Sequence, residues 1–562
     1  NTRRRGAVFS FGSESIRMVA GMDVVADPKS PAVLDRRHTL FGVAATLFAA
    51  AGCSSATSEA TTAPAAGSGT TTSPTPSDAL PPAAEDNETS TAQTNALPAP
   101  ADIELHMLRR LSYGPAAEDV DRIRLLGAGD WLSEQLSPES LNTAELEARL
   151  SDTFPELDQT APELIADYRA DGNGPQLFSV LTAAQFARHT TSPAQLFERL
   201  VEFWGDHFNA PQITPPATIA RIVMDREVVR PNALGRFDDL LVAVAQSPAM
   251  LRYLDNGSSS VGAINENYAR ELLELHTVGV DGGYAEDDIV EVARLLTGWG
   301  FTRELEFRFT PTRHDNGPVS MLGWERPASG DVFEHGIDFL RHLALLPATA
   351  RLVCHKLAVR FVADDPDDAL VEAMAAAWID NNSEIELVVR TMVEHPSFDV
   401  APPKFNRPWD YYVQTLRSVG NDLDITNQRS VRDAIGAAQD LGQVPFRWPS
   451  PDGYPDRESF WLDAGALLTR WDLALDLTNP DNKAIDTDVG VRIQAVRGLT
   501  AAEMYDGLSH RFRFEPIDNP TLIALNELTG WAPDHRPDNE ELDEFAPHII
   551  FLLITSPSAL YR

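Results

Sequence analysis

The sequence predicts an all-α fold, one large multi-helix domain with a small β-hairpin insertion near 301–324. Three observations carry that reading. Beyond Asp102 apolar residues recur at helical spacing in one segment after another, strict alternation is confined to a single stretch, and no segment repeats at a fixed period. At 562 residues and 43% hydrophobic, the chain holds enough apolar surface for a sizeable core, and its length also allows three or four ordinary domains.

The helices follow in order. Ile103, Leu105, Met107, Leu108 and Leu111 share one face, and Tyr113-Gly114-Pro115 ends that helix. Val120, Ile123, Leu125 and Leu126 form the next, stopped at Gly127. Between Pro193 and Phe208 the i, i+3, i+4, i+7 spacing returns. It returns again over 266–278 and over 286–297, with Gly298 just past the end. Further helices fit 336–345, 347–361, 367–379, 384–394, 407–418, 429–440, 463–476, 499–510, 519–528 and 540–556. The exception runs from Phe301 to Trp324. Phe301, Arg303, Leu305, Phe307 and Phe309 alternate with polar residues, and His314-Asp315-Asn316-Gly317 reads as the turn of a hairpin.

The N-terminus reads as an address. Arg36 and Arg37 precede an apolar run from Leu40 to Ala51, too short to span a bilayer as a helix, and small residues lead into Cys53. That is the layout of a signal region over 1–53 with a lipobox, Cys53 being the point of lipid attachment. Arg36-Arg37-His38-Thr39-Leu40 also has the form of a degenerate twin-arginine signal, and Met22, or Met18, reads as a start site. Residues 54–101 are Ala, Thr, Ser, Pro and Gly with a few acids and no Lys or Arg, the composition of a disordered tether. The helical domain then occupies 102–562. The expected location is therefore exported: lipid-anchored to the membrane outside the cytoplasm, or secreted.

Charge narrows the partners. Forty-six basic residues stand against 83 acidic ones, a net charge of −37. Residues 1–52 hold seven basic and four acidic side chains, so without them 39 stand against 79, or −40. Such acidity argues against nucleic-acid binding and against docking on an anionic bilayer by charge, leaving a lipid anchor as the membrane contact. Two cysteines exclude a disulfide scaffold and a Cys-rich zinc module; Cys354, in the apolar run LVCHKLAVRFV, reads as an inert core thiol.

Several blocks carry a resemblance. They are LRRLSYGP (108–115), LFERLVEFWGDHF (196–208), NENYARELLELHTVGVDGGY (265–284), VARLLTGWGF (292–301), RHDNG (313–317) and LGQVPFRWPSPDGYP (441–455). In this order they resemble the bacterial domain of unknown function 1800 family, from about residue 103 onward. The resemblance implies a mostly helical, exported protein, often made with a twin-arginine or lipoprotein signal. It also implies genes beside those of a second exported, sulfatase-like family, a possible partner. It implies no reaction. The chain departs from the family in three places. Pro318 and Val319 stand where members usually carry a Lys after the His-Asp-x-Gly turn, Ala285 stands where Thr or Ser often caps a helix, and Phe is frequent at the position of His276.

Candidate chemistry lies in these blocks. His207 and His276 fall on the apolar faces of their helices and could meet; Glu271 and Glu274 lie a turn apart beside Asn267, with Arg270 between Glu266 and Glu274; His314-Asp315 sits on the expected turn. Imidazoles with a carboxylate could bind a divalent metal or act as an acid/base pair. The same residues equally suit buried histidines bonded to carbonyls and an Arg bridging helical Glu residues. Trp204, Trp299, Trp324, Trp448 and Trp461 could line a carbohydrate groove or belong to the core. No H-E-x-x-H, G-x-S-x-G, P-loop or paired C-x-x-C is present, and no cofactor is expected beyond that possible metal. Two functions remain open: a non-catalytic surface assembly or binding protein, and an envelope hydrolase of glycan or peptide using Glu271 with His207 and His314.

Overall fold

The computed structural model describes residues 102–562 apart from 173, 421–422 and 480–492. The signal region, Cys53 and the tether lie outside the described residues. The first helices are α1 (Ile103–Leu111), α2 (Ala117–Leu126), α3 (Ala128–Gln135), α4 (Ala144–Thr153), α5 (Ala161–Asp171), α6 (Gly174–Thr191) and α7 (Gln195–His207). Next come α8 (Pro215–Met224), prolonged by a π-turn over Asp225–Val229, then α9 (Phe237–Gln246) and α10 (Pro248–Tyr253). Helix α11 opens as Asn267–Glu271 and closes as a π-turn over Leu272–His276; α12 (Glu286–Leu295) follows. After the β segment come α13 (Val332–Ala344), α14 (Pro347–Phe361), α15 (Asp368–Asp380), α16 (Ile385–Glu394), α17 (Pro408–Val419) and α18 (Gln428–Asp440). The last are α19 (Ala464–Thr478), α20 (Ala501–Arg513), α21 (Asn519–Thr529) and α22 (Asn539–Thr555).

Local chemistry sets many of these ends. Thr500 with Glu503, and Asp538 with Glu541, close reciprocal capping boxes at α20 and α22. Ala285 has no side-chain acceptor to offer α12, and only half a box remains: Asp288 accepts the Ala285 N–H at 2.7 Å. Several helices lack an amphipathic stripe and escape a periodicity search. In α6, Leu177, Val180, Leu181, Ala183, Ala184, Phe186 and Ala187 are all buried, because neighbours cover that helix on every side. The segments α3 to α5 and α8 to α10 are further helices outside those that spacing marked, although α9 does carry a stripe, with Phe237, Leu240, Leu241, Val244 and Ala245 buried.

Most helices share one core running from Leu105 to Leu560, in which α14 packs on α15, α15 on α16, and α9 on α13. A second, smaller cluster joins α19, α20, α21 and α22 through Met504, Tyr505, Leu508, Leu525, Ile549, Ile550 and Leu553. Cys354 is a free, fully buried thiol. No helix among the described residues is long and apolar enough to cross a membrane.

The β insertion differs in detail from the expected hairpin. Two small antiparallel pairs form instead: β1 (Trp299–Phe301) with β2 (Phe307–Phe309), and β3 (Ser320–Met321) with β4 (Trp324–Glu325). Asn316-Gly317 is not a hairpin turn. The Gly317 N–H donates to Asp315 Oδ1 at 2.8 Å, and Arg326 Nη1 holds the carbonyls of Asp315 and Gly317 at 2.7 and 2.6 Å, so side chains organise that loop. The second turn is Leu322-Gly323, both at positive φ, 49° and 78°, as a two-residue turn matched to strand twist requires. Leu is a poor turn signal, which is why sequence patterning placed the turn elsewhere. A Cβ at Gly323 would meet nothing within 4 Å. Gly323→Ala should therefore cost about 1 kcal/mol from backbone strain alone, readable as a lower urea midpoint with an unchanged m-value.

Candidate functional site

Helix α7 runs through the middle of the core with eleven of its thirteen residues buried. Its last residue, His207, is 3% exposed and meets His276, the last residue of the α11 π-turn, at 5.8 Å between ring centroids. His207 Nε2 donates to the His276 carbonyl at 3.1 Å, which leaves Nδ1 to accept from Lys356 Nζ at 3.4 Å. Lys356, from α14, also donates to the Leu275 carbonyl at 2.9 Å. A π-turn ends with unpaired carbonyls just as an α-helix does. The Thr277 hydroxyl takes the carbonyl of Leu272 at 2.6 Å and the Gly279 amide that of Leu273 at 2.9 Å. His207 and Lys356 thus complete a C-terminal cap, with a cation at the negative end of the helix.

Burial governs protonation at this cap. It pushes His276 down to about 3, and Lys356 adds to the effect. His207 is lowered well below its usual value by burial, then by Lys356 and His276. Lys356 is itself lowered to about 8 by burial, opposed by Asp452 and Asp456. The His276 ring lies against the Pro451 backbone and Phe208, neither nitrogen in a hydrogen bond of good geometry.

The other sequence candidates fall in different places. Asn267 is exposed; its N–H donates to Asn265 Oδ1 at 2.9 Å and its amide to the Leu254 carbonyl at 3.3 Å. Arg270 pairs at the surface with Glu286, with Glu274 at 3.6 Å and with Glu266 at 3.7 Å. Glu271 is half-buried, and its carboxyl is raised by burial and by Glu274 and Asp452. His314 and Asp315 form a separate group. His314 Nδ1 donates to the Thr297 carbonyl at 2.8 Å, and Asp315 pairs with Arg294 at 3.0 Å, fastening this loop to the end of α12. No hydrogen bond or ring contact joins that group to His207 or Glu271 among the described residues. Nor are any three His, Cys, Asp or Glu side chains among them placed to hold a metal ion. Of the tryptophans, Trp204, Trp299, Trp324 and Trp461 are buried; half-buried Trp448 donates from Nε1 to Asp452 at 2.9 Å.

The larger constellation is one that motif reading passed over. Glu198, Glu202 and Asp206 recur every four residues on α7 and are met by guanidinium groups from distant segments. Glu198 takes a two-pronged pair from Arg230 at 2.9 and 2.7 Å. Glu202 receives Tyr113 Oη at 2.7 Å, Arg407 at 2.6 Å, and Arg360. Asp206 takes Arg407 at 2.9 Å. Asp456 pairs with Arg360 at 2.7 Å, while Asp410 joins Arg562 at 2.7 Å and Arg199 at 3.4 Å. Lys404 bonds Asp364 at 2.5 Å and the Asp456 carbonyl at 2.6 Å. Burial alone would raise Asp410, but Arg407, Arg199 and Arg562 hold it well below the carboxylate range. Asp456 is held at about 2 against burial by Arg360, Arg407 and Lys404. Asp206 differs. Burial and the neighbouring Glu202 lift it to about 7 against the pull of Arg407.

The network reaches solvent at Asp206 and Asp456, whose side chains are 19% and 18% exposed. Here the 441–456 segment closes over the end of α7. Asn209 Nδ2 holds the carbonyls of Trp448 and Ser450 at 2.8 and 2.6 Å, and Tyr454 Oη donates to the Val444 carbonyl at 2.7 Å. Gly453, at φ 74°, presses its Cα against the Asp206 carbonyl so closely that no side chain fits. The blocks around 196–208, 265–284 and 441–455 therefore meet at one place. The sequence signal for it was available: carboxylates at i, i+4 and i+8 of an apolar helix, and two of the chain's four lysines, Lys356 and Lys404.

A large helical body wrapped round a central helix of paired carboxylates is the class of protein this arrangement defines. The chain belongs to the family described as "Protein of unknown function (DUF1800)", whose model matches residues 106–561. No curated protein and no solved structure matches it.

Two outcomes follow. Glu202→Gln leaves Arg360 and Arg407 without their shared carboxylate and should destabilise the fold by about 3–5 kcal/mol, measured by urea unfolding; a loss below 1 kcal/mol would contradict this account of the network. His276 is kept neutral in the fold, so its contribution is complete above its ordinary value near 6.5 and is lost as pH falls toward 3. Asp206 works oppositely, its contribution being lost as pH rises toward 7. His276→Phe should therefore flatten the acid limb by up to about 1.4 kcal/mol per pH unit below pH 6.5. Urea midpoints at pH 7.5 and 5 read this, and an unchanged difference would mean that His276 takes up its proton in the folded state.

Proposed function

We propose that the protein is an exported, lipid-anchored cell-envelope protein that works by binding a second exported protein of a sulfatase-like family. One observation favours binding over hydrolysis: His207, His276 and His314 are buried, and both ring nitrogens of His207 and of His314 are already engaged, by the His276 carbonyl and Lys356 and by the Thr297 carbonyl and Arg326. A hydrolytic acid or base must reach substrate from an open pocket. Anchoring rests on the small-residue run into Cys53 and the tether-like composition after it. The choice of partner rests on the family resemblance.

A hydrolase of envelope glycan or peptide is the second reading, favoured by partly exposed Asp206, whose carboxyl sits near 7 beside Asp456 and Arg407. Cys53→Ala should move the protein from the membrane fraction to the soluble exported fraction; membrane retention would overturn anchoring. Co-expressed with an exported sulfatase-like protein from the same source, the chain should elute as a single complex. Separate elution, together with turnover of envelope glycan or peptide that Asp206→Asn abolishes, would establish the hydrolase instead.

A further inference from the structure

A concavity of about 480 Å³ lies between the chain entering α8 and the segment after α10, and none of its lining residues belongs to the ion network. Its size suits a small ligand or a few residues of a peptide. Pro211, Ile213, Ala217, Tyr253 and Phe301 make the walls apolar, and Ile213 is 64% exposed at the lip. One wall is seated before anything binds: a Cβ on Gly257 would come within 2.7 Å of the Phe301 ring, so backbone and ring already touch.

The polar atoms of these walls are largely committed. Tyr253 Oη donates to the Pro449 carbonyl at 2.6 Å, Ser258 Oγ to the Asp255 carbonyl at 2.8 Å, and Thr214 Oγ1 accepts from the Ala217 N–H at 3.4 Å. Helix α8 begins Pro215-Pro216, so its first two positions offer no N–H to an anion. A sugar would thus bury hydroxyl groups without partners. Two lining side chains remain uncommitted, Arg252 and Asp255. Both are exposed, they are opposite in charge, and neither makes a side-chain hydrogen bond or ion pair among the described residues. Arg252 offers donors and Asp255 acceptors to the same concavity, and an extended peptide backbone needs both, for its C=O and its N–H groups. A fatty acid could meet Arg252 with its carboxylate but has no donor for Asp255.

We infer that this concavity binds a short, extended apolar peptide segment, with backbone C=O and N–H groups met by Arg252 and Asp255 and its side chains against Pro211, Ile213, Tyr253 and Phe301. The assignment deepens the binding reading above and rests on it. The probe is acetyl-Leu-Val-Leu-amide, titrated calorimetrically into the full chain, with octanoate as the competing apolar acid. Saturable binding of the tripeptide is expected. Ala217→Trp, which fills the cavity, should weaken it by about tenfold or more, and Asp255→Asn or Arg252→Gln by about three- to tenfold. Asn adopts the backbone of Asp255, at φ 59°, without added strain, and Arg252 is exposed, so these two variants decide the matter even if the Trp variant misfolds. Absent saturation, tripeptide affinity unchanged in both polar variants, or displacement of the tripeptide by an equal concentration of octanoate would overturn the assignment. The two readings fail separately. Persisting co-elution with the sulfatase-like protein but no tripeptide binding removes only the cavity assignment, and the reverse result removes only that choice of partner.

Discussion

Everything central to this fold answers to one constraint: Glu202 is buried in the middle of α7 and must be neutralised there. An isolated carboxylate in such a place would cost several kcal/mol, and pairing offsets this only with good geometry and further hydrogen bonds. Arg360, Arg407 and Tyr113 supply that geometry from three remote segments. Each cation then needs its own balance, which Asp206, Asp456 and Asp410 provide. The positions of α1, α7, α14 and α17 are in this way tied to one another by charge as well as by apolar packing.

The histidines illustrate how one side chain can look functional for structural reasons. The widened last turn of α11 leaves carbonyls facing the core, where no water reaches them. His207 and Lys356 are placed to receive two of those carbonyls. Burial keeps the imidazoles neutral, and a neutral imidazole is what a ring must be to donate at one nitrogen while accepting a lysine proton at the other. Protonation and shape thus constrain one another at this helix end.

The legible parts of the fold were those whose pattern contrasts with water. Amphipathic helices such as α7, α12 and α16 announce themselves by spacing. Helix α6, covered all round, has no contrast to display. The turn at Leu322-Gly323 was hidden because its first residue is chosen for contact with the core rather than for its backbone preference. At the candidate site, sequence reading paired His207 with His276 correctly in space, since both lie on apolar faces. It set His314 beside them only by analogy of residue type, and His314 belongs to another part of the molecule. The ion network went unread because its members are scattered from Tyr113 to Arg562. A lone Arg or Asp in a helix is ordinarily a surface residue. Only its recurrence at four-residue steps inside an apolar segment says otherwise.

That scatter bears on how the chain reaches its fold. Tyr113 and Arg562 stand near opposite ends of the described residues, yet both feed the same cluster of charges. Contacts so distant in sequence must overcome the entropy of closing very long loops before they return any stabilisation, which makes such topologies slow to form. No early-emerging portion of the polypeptide can balance Glu202 by itself, because Arg360 and Arg407 arrive much later. Completing the cluster therefore requires nearly the whole body, since its carboxylates and guanidinium groups come from segments between Tyr113 and Arg562.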